Sequence, residues 1–240
     1  MKRRTVEVVA IGLGALLSLC ACGGGNGLGP QEIKKREEKL RNRLPIDWSH
    51  YNRGDYQSSI AFFTETLQQA DALEGVDAIR NWVKSEAQNG IGWTFFREQQ
   101  LDSAVVAFNQ ATRLDRRNAD AWVGWAGVSL AQRNYSDAVQ FALQVLEILP
   151  DYDSAGRLDD DGRPLGHDQF DERHVRLLLA EAYFQLGRYS AVDRPDPSNA
   201  AAQLRLVNSG YRFRDPGQLV EGISRAVLDL HGGISSELNR

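Results

Sequence analysis

Residues 119–150, ADAWVGWAGVSLAQRNYSDAVQFALQVLEILP, limit what this chain can fold into more than any other stretch. Trp122, Trp125, Ala126 and Ser129 share one helical face, and Ala138, Ala142, Val145 and Leu146 share another, with a break at 132–135. The stretch therefore reads as two antiparallel helices. Two helices cannot enclose a core, so such a unit is stable only when similar units stack on it. A shift of 34 residues finds a neighbour, because Gly92, Phe95, Leu101, Ala104 and Phe108 fall on Ala126, Ser129, Tyr135, Ala138 and Ala142. A further copy, RLLLAEAYFQLGRY at 176–189, lies at an offset of 54, which is one period and a 20-residue insertion. Another, GDYQSSIAFFTETL at 54–67, lies at an offset of 45, one period and 11 further residues. Gly92, Ala126 and Ala180 occupy the same point in three copies, where the helices of a hairpin cross and a larger side chain would push them apart.

Trp122, Ala126, Tyr135, Ala138 and Pro150 in one copy, and Gly92, Phe95, Ala104, Phe108 and Ala111 in the one before, resemble the tetratricopeptide repeat (TPR). The resemblance implies an all-α fold, a TPR-like right-handed stack of antiparallel helix hairpins with irregular insertions and a C-terminal capping helix. The expected helices are 55–69, one long helix at 76–98, 102–114, the two of 119–150, 170–186 and 199–208. A last helix opens on Asp215, Pro216 and Gln218 and stops at Gly232. The first helix of the first hairpin is poorly marked, with Pro45 interrupting it and a restart at Asp47. The insertion at 151–168, DYDSAGRLDDDGRPLGHD, reads as a solvated, turn-rich acidic loop that should open before the hairpins do.

The N-terminus reads as a targeting segment. Lys2, Arg3 and Arg4 precede an apolar run of 12 residues at 8–19, shorter than the roughly 20 needed to span a bilayer. Leu19-Cys20-Ala21-Cys22 resembles a bacterial lipobox, which implies lipidation of Cys22 after cleavage; Cys20 is the competing cysteine, with the bulky Leu19 before it. Several acyl chains on Cys22 would satisfy the need of stable anchoring for more than one chain. Gly23 in place of aspartate implies sorting to the outer membrane by resemblance to enterobacterial lipoproteins. The domain division is then 1–21 signal peptide, 22–45 lipid-anchored tether, 46–232 helical repeat domain and 233–240 tail. Residues 31–43 within the tether carry a net positive charge and read as a solvated helix beside the anchor.

Of 28 basic and 32 acidic residues, three and one fall in 1–21, which leaves the mature chain at a net charge of about −6, against nucleic acid binding. Asp151, Asp153 and Gly156 begin like a calcium loop, but Ala155 and Gly162 stand where ligands are needed. His167, Asp168, Asp171 and His174 lack helical ligand spacing and a nearby cysteine. No G-x-S-x-G, H-E-x-x-H or P-loop is present, so neither catalysis, a cofactor nor a metal is expected.

The expected function is a membrane-anchored scaffold for a protein or peptide partner in the cell envelope. The alternative is a small-ligand or metal-binding lipoprotein, possibly enzymatic, that uses the acidic 151–168 insertion. In peptide-binding TPR proteins the first helix of each hairpin lines a concave groove. By that resemblance the groove residues are Trp48, Tyr51, Asn89, Trp93, Phe96, Arg97, Val123, Leu130, Leu177 and Phe184. The aromatic content and the scarcity of lysine there favour an extended apolar or aromatic segment over an acidic C-terminus.

Overall fold

The computed structural model describes residues 29–72, 77–159, 162–167, 170–189, 198–213 and 215–235. The lipobox, Cys22 and the glycine-rich stretch after it lie outside the described residues, as does the tail from 236. Among the described residues ten helices follow one another: α1 (Pro30–Arg41), α2 (Leu44–Asn52), α3 (Tyr56–Asp71), α4 (Asp77–Arg97), α5 (Leu101–Leu114), α6 (Ala119–Ala131), α7 (Tyr135–Ile148), α8 (Glu172–Gln185), α9 (Ala200–Val207) and α10 (Pro216–Ser235). No strand occurs among them, only isolated bridges.

The helices α2/α3, α4/α5, α6/α7 and α8/α9 pair as hairpins, and each hairpin packs on the next. The chain is an all-α, TPR-like stack. The first three hairpins turn through one residue in the left-handed region, Gly54 (φ 76°), Gln99 (φ 60°) and Arg133 (φ 64°), and Gly187 (φ 72°) follows the end of α8 in the same conformation. Each turn closes with the same pair of bonds. In the second hairpin the Gln100 N–H donates to Phe95 O and the Gln99 N–H to Phe96 O, and in the third Asn134 donates to Ser129 and Arg133 to Leu130. Spacings of 45, 34 and 54 residues between these turns equal the offsets of the sequence copies.

The small residues serve close approach. A Cβ on Gly90 would stand 2.1 Å from Phe63 Cζ, and one on Gly124 would stand 2.2 Å from Phe108 Cζ. Those two rings, both fully buried, are therefore seated directly against helix backbone. Ala126 and Ala180 are fully buried at the crossings of their hairpins. Trp122 and Trp125 are half-buried and stack on each other, with Phe141 4.2 Å from Trp125 between ring centroids.

Four features depart from the sequence reading. Pro45 does not interrupt the first hairpin; it occupies the first turn of α2, where its missing N–H has no helical partner to lose. The segment assigned to the tether contains α1, whose Leu40 is buried in a small cluster with Ala70 and Val83, so packing starts before residue 46. Helix α10, capped by Asp215 Oδ1 accepting from the Gln218 N–H, runs past Gly232 to Ser235. It closes the stack through a second cluster made by Leu177, Leu204, Tyr211, Leu219 and Ala226.

The fourth departure is the insertion. It is not a solvated loop: Tyr152, Ser154, Leu165 and His167 are buried, and Tyr152, Leu165 and His167 pack against α2, α4 and α6. Turn residues shape it into a small hairpin, with Asp159 N–H donating to Arg163 O and Leu165 N–H to Arg157 O, and Gly162 at φ 76°. We call the described residues of this stretch, 152–159 and 162–167, the strap.

Candidate functional site

The first helices of the hairpins, α2, α4, α6 and α8, each touch the next along one side of the stack, here called the inner face. Its polar centre is built from α4 and α6, one repeat period apart. Glu86 and Asp120 are buried there and flank the Arg157 guanidinium of the strap, at 2.5 Å from Glu86 Oε1 and 2.9 Å from Asp120 Oδ2. Asn89 Nδ2 donates to Asp120 Oδ2 at 2.7 Å, and the Tyr152 hydroxyl donates to Asp120 Oδ1. His167 Nε2 stands 3.4 Å from the same Oδ1. Asn118, the N-cap of α6, donates through Nδ2 to Glu86 and to Ser85.

Burial pushes the Glu86 carboxyl up, with Arg157 pulling against it. Burial acts the same way on Asp120, yet the Arg157 guanidinium, the His167 ring and the Tyr152 hydroxyl together hold that carboxyl well below the usual carboxylate range. Tyr152 is pushed up by burial and by Asp120 beside it. One cation thus holds two buried acids, an arrangement that loses its compensation if the strap leaves.

Beside this centre lies an aromatic box. The His167 ring is enclosed by Trp93 at 4.0 Å between centroids, Phe170 at 5.3 Å, Tyr51 at 5.9 Å and Trp48 at 6.0 Å. Burial pushes the Tyr51 hydroxyl up to about 12, and Arg97 Nε donates to it at 3.0 Å. The strap is fastened here by Asn52 Nδ2 donating to Gly166 O at 3.0 Å, and its two ends are tied to each other by Ser154 Oγ donating to His167 O at 2.5 Å.

The expected groove residues divide into two groups. Trp48, Tyr51, Asn89, Trp93, Val123 and Leu177 are on the inner helices but buried, so none of them lines an open groove. The reason is the strap, which covers the α2, α4 and α6 part of the face, together with the packing of α10 over Leu177. Phe96, Leu130 and Phe184 are half-buried and Arg97 is exposed. Leu130 and Phe184 line a cavity of about 330 Å³ with Tyr135, Glu181, Val220 and Ile223, between the ends of α6 and α8 and helix α10. Burial alone raises the Glu181 carboxyl.

Of the acids expected to be open in the 151–168 insertion, Asp159 and Asp153 are engaged, while Asp160, Asp161 and Asp168 lie outside the described residues. Asp159 receives the Arg163 side chain, and Arg163 reaches Asn42 at 2.5 Å. Asp153 forms a bridge with Asp171, and Asp171 caps α8 in a capping box with His174. No group of three His, Cys, Asp or Glu stands within reach of a common metal ion among the described residues. No helix among them is long and apolar enough to cross a membrane. The functional residue that sequence reasoning missed is Arg157, which sits in a turn-rich stretch without periodicity; the paired acids at 86 and 120, 34 residues apart, were its available signal.

Residues 85–118 match the family model of the tetratricopeptide repeat, a stretch that begins within α4 and ends at the N-cap of α6. The first eight residues of α4 precede the matched unit, which is where the 11 additional residues of the first interval are partly housed. No curated protein sequence matches the chain. Two solved structures of a Podosopora anserina protein of nearly identical TPR-like repeats are similar in outline. One, a form carrying a glutamine-to-methionine substitution, has a TM-score of 0.48 at 13% identity over 81% of this chain and 97% of its own. The other has a TM-score of 0.47 at 12% identity over 80% and 97%. The chain is an all-α stack of TPR-like helix hairpins, and within it residues 85–118, most of the second hairpin, are similar to the tetratricopeptide repeat.

Proposed function

We propose that the protein is a lipid-anchored, non-enzymatic scaffold of the bacterial cell envelope that holds a protein partner on the inner face of its helical stack. The observation that carries this reading is the row of partly exposed apolar side chains, Phe96, Leu130 and Phe184, at one point of successive first helices. Such a row on a repeat surface is suited to an extended apolar segment. The lipobox-like Leu19-Cys20-Ala21-Cys22 supports the anchor, and Gly23 after it supports the outer membrane.

Two arms test the reading. Cells making Cys22→Ala should release the protein from the membrane fraction and accumulate an unlipidated form; unchanged processing and retention would remove the anchor from the proposal. In-cell crosslinking should recover a defined protein with the wild type and not with Leu130→Asp/Phe184→Asp. Equal recovery by that variant, with its melting unchanged, would remove the inner face.

A further inference from the structure

The strap occupies the place that a bound segment would take on the inner face. It enters and leaves at one point, since the Ser154 N–H donates to Phe170 O at 2.8 Å and Asp153 bridges Asp171. Between those ends its described residues make no helix, and it offers the face two groups: a guanidinium to the Glu86/Asp120 pair and a flat ring to the Trp48, Tyr51 and Trp93 box.

The fit is incomplete in a specific way. Buried polar atoms without a hydrogen-bond partner among the described residues cluster on the helices where they meet the strap: Glu86 Oε2, Asn89 Oδ1, Trp48 Nε1 and Trp93 Nε1. Each such atom weakens the docked state, because a buried polar group left unpaired loses its hydration without replacement. The face therefore retains hydrogen-bonding capacity that its own strap does not use.

We propose that the strap is an internal ligand, and that the inner face is a receptor for a segment of a partner protein presenting an arginine to Glu86 and Asp120 and a planar ring to the Trp48/Trp93 box, in exchange with the strap. An arginine fits because the two carboxylates approach different guanidinium nitrogens, Nη2 and Nη1, a fork that lysine does not have. The exchange keeps the two buried acids neutralised in both states. This rests on the reading of the inner face as the partner surface and adds the chemistry of the partner and the gate on its binding.

The test uses a labelled synthetic peptide of residues 152–167 and two forms of the full chain. In one, residues 155–169 are replaced by a short Gly-Ser link, which the adjacent ends at Ser154 and Phe170 allow; in the other, Arg157→Gln weakens the docked strap. By fluorescence anisotropy both should bind the peptide at least ten-fold more tightly than the wild type does. The same peptide carrying Arg157→Gln should bind at least ten-fold more weakly to the excised form. Equal binding by wild type and excised form, or no binding by an excised form that melts cooperatively, overturns the proposal. If the excised form does not fold, hydrogen exchange on the full-length Arg157→Gln chain decides. Faster exchange confined to the Ser154, Asp159 and Leu165 amides supports an exchangeable strap, and equal acceleration in α4 and α6 overturns it. None of these readouts needs the cellular partner, so their failure leaves the crosslinking arm of the scaffold reading to be judged separately.

Discussion

Thr66 Oγ1 donates to Asp47 Oδ2 at 2.6 Å, joining the two helices of the first hairpin inside the fold with a carboxyl group that has no full counter-charge. Asp47 is fully buried, and burial pushes its carboxyl up to about 6 against the opposing Thr66 hydrogen bond and the Arg43 charge. The folded state thus holds a proton that the unfolded chain releases at its ordinary value of 3.8. The stabilising contribution is complete below that value and is lost as pH rises through about 6. The stability of the wild type minus that of Asp47→Asn should fall by about 2–3 kcal/mol between pH 4 and pH 7. Denaturant melts at both pH values check it, and a difference that stays constant would rule the effect out.

Trp93 and Phe96 lie one helical turn apart on α4 and should respond unequally. Trp93 is 2% exposed and meets Phe108, Phe170 and His167, whereas Phe96 is half-buried. Trp93→Ala should cost about 3–5 kcal/mol and Phe96→Ala about 1–2 kcal/mol. Losses of equal size in chemical denaturation would show that the strap does not cover Trp93.

The two hairpin turns without glycine are candidates for stabilisation. Gln99 and Arg133 hold left-handed backbone that their Cβ atoms oppose, and both are exposed. Gln99→Gly and Arg133→Gly should each add about 0.5–1 kcal/mol, and Gly187→Ala should remove a similar amount. Melting temperatures that move the other way would mean these turns do not close as described.

Phe108 is pressed against two neighbouring helices through Gly92 and Gly124. Gly124→Ala should cost about 1–3 kcal/mol by overpacking, and Phe108→Leu in the same chain should recover part of it. Strictly additive effects in the double-mutant cycle would separate the two residues.

The periodic part of the fold was legible because its rules are local. Apolar stripes of α5 to α8, the crossing residues Ala126 and Ala180 and the 34-residue interval all follow from neighbours within one hairpin. The inner-face residues were legible as a face, since their place on the first helices follows from the same period. Their cover was not. Tyr152, Leu165 and His167 stand among turn formers with no repeat, and the bonds that seat the strap span large separations, such as Asn52 to Gly166 across 114 positions. Helix α1 was legible as a helix but its packing was not: Leu40 is its sole buried residue, too little to make a stripe.

The meeting of Asp153 with Asp171 bears on how such a chain acquires new parts. An excursion whose two ends already touch leaves the separation between α7 and α8 unchanged, so its length can vary while the entropy of closing it grows only slowly. Changes of length between these two aspartates that keep Arg157, Leu165 and His167 seated can thus accumulate without moving a helix. The junction after the third hairpin is an insertion port, and a foreign peptide grafted there would be delivered to Glu86 and Asp120 at very high effective concentration.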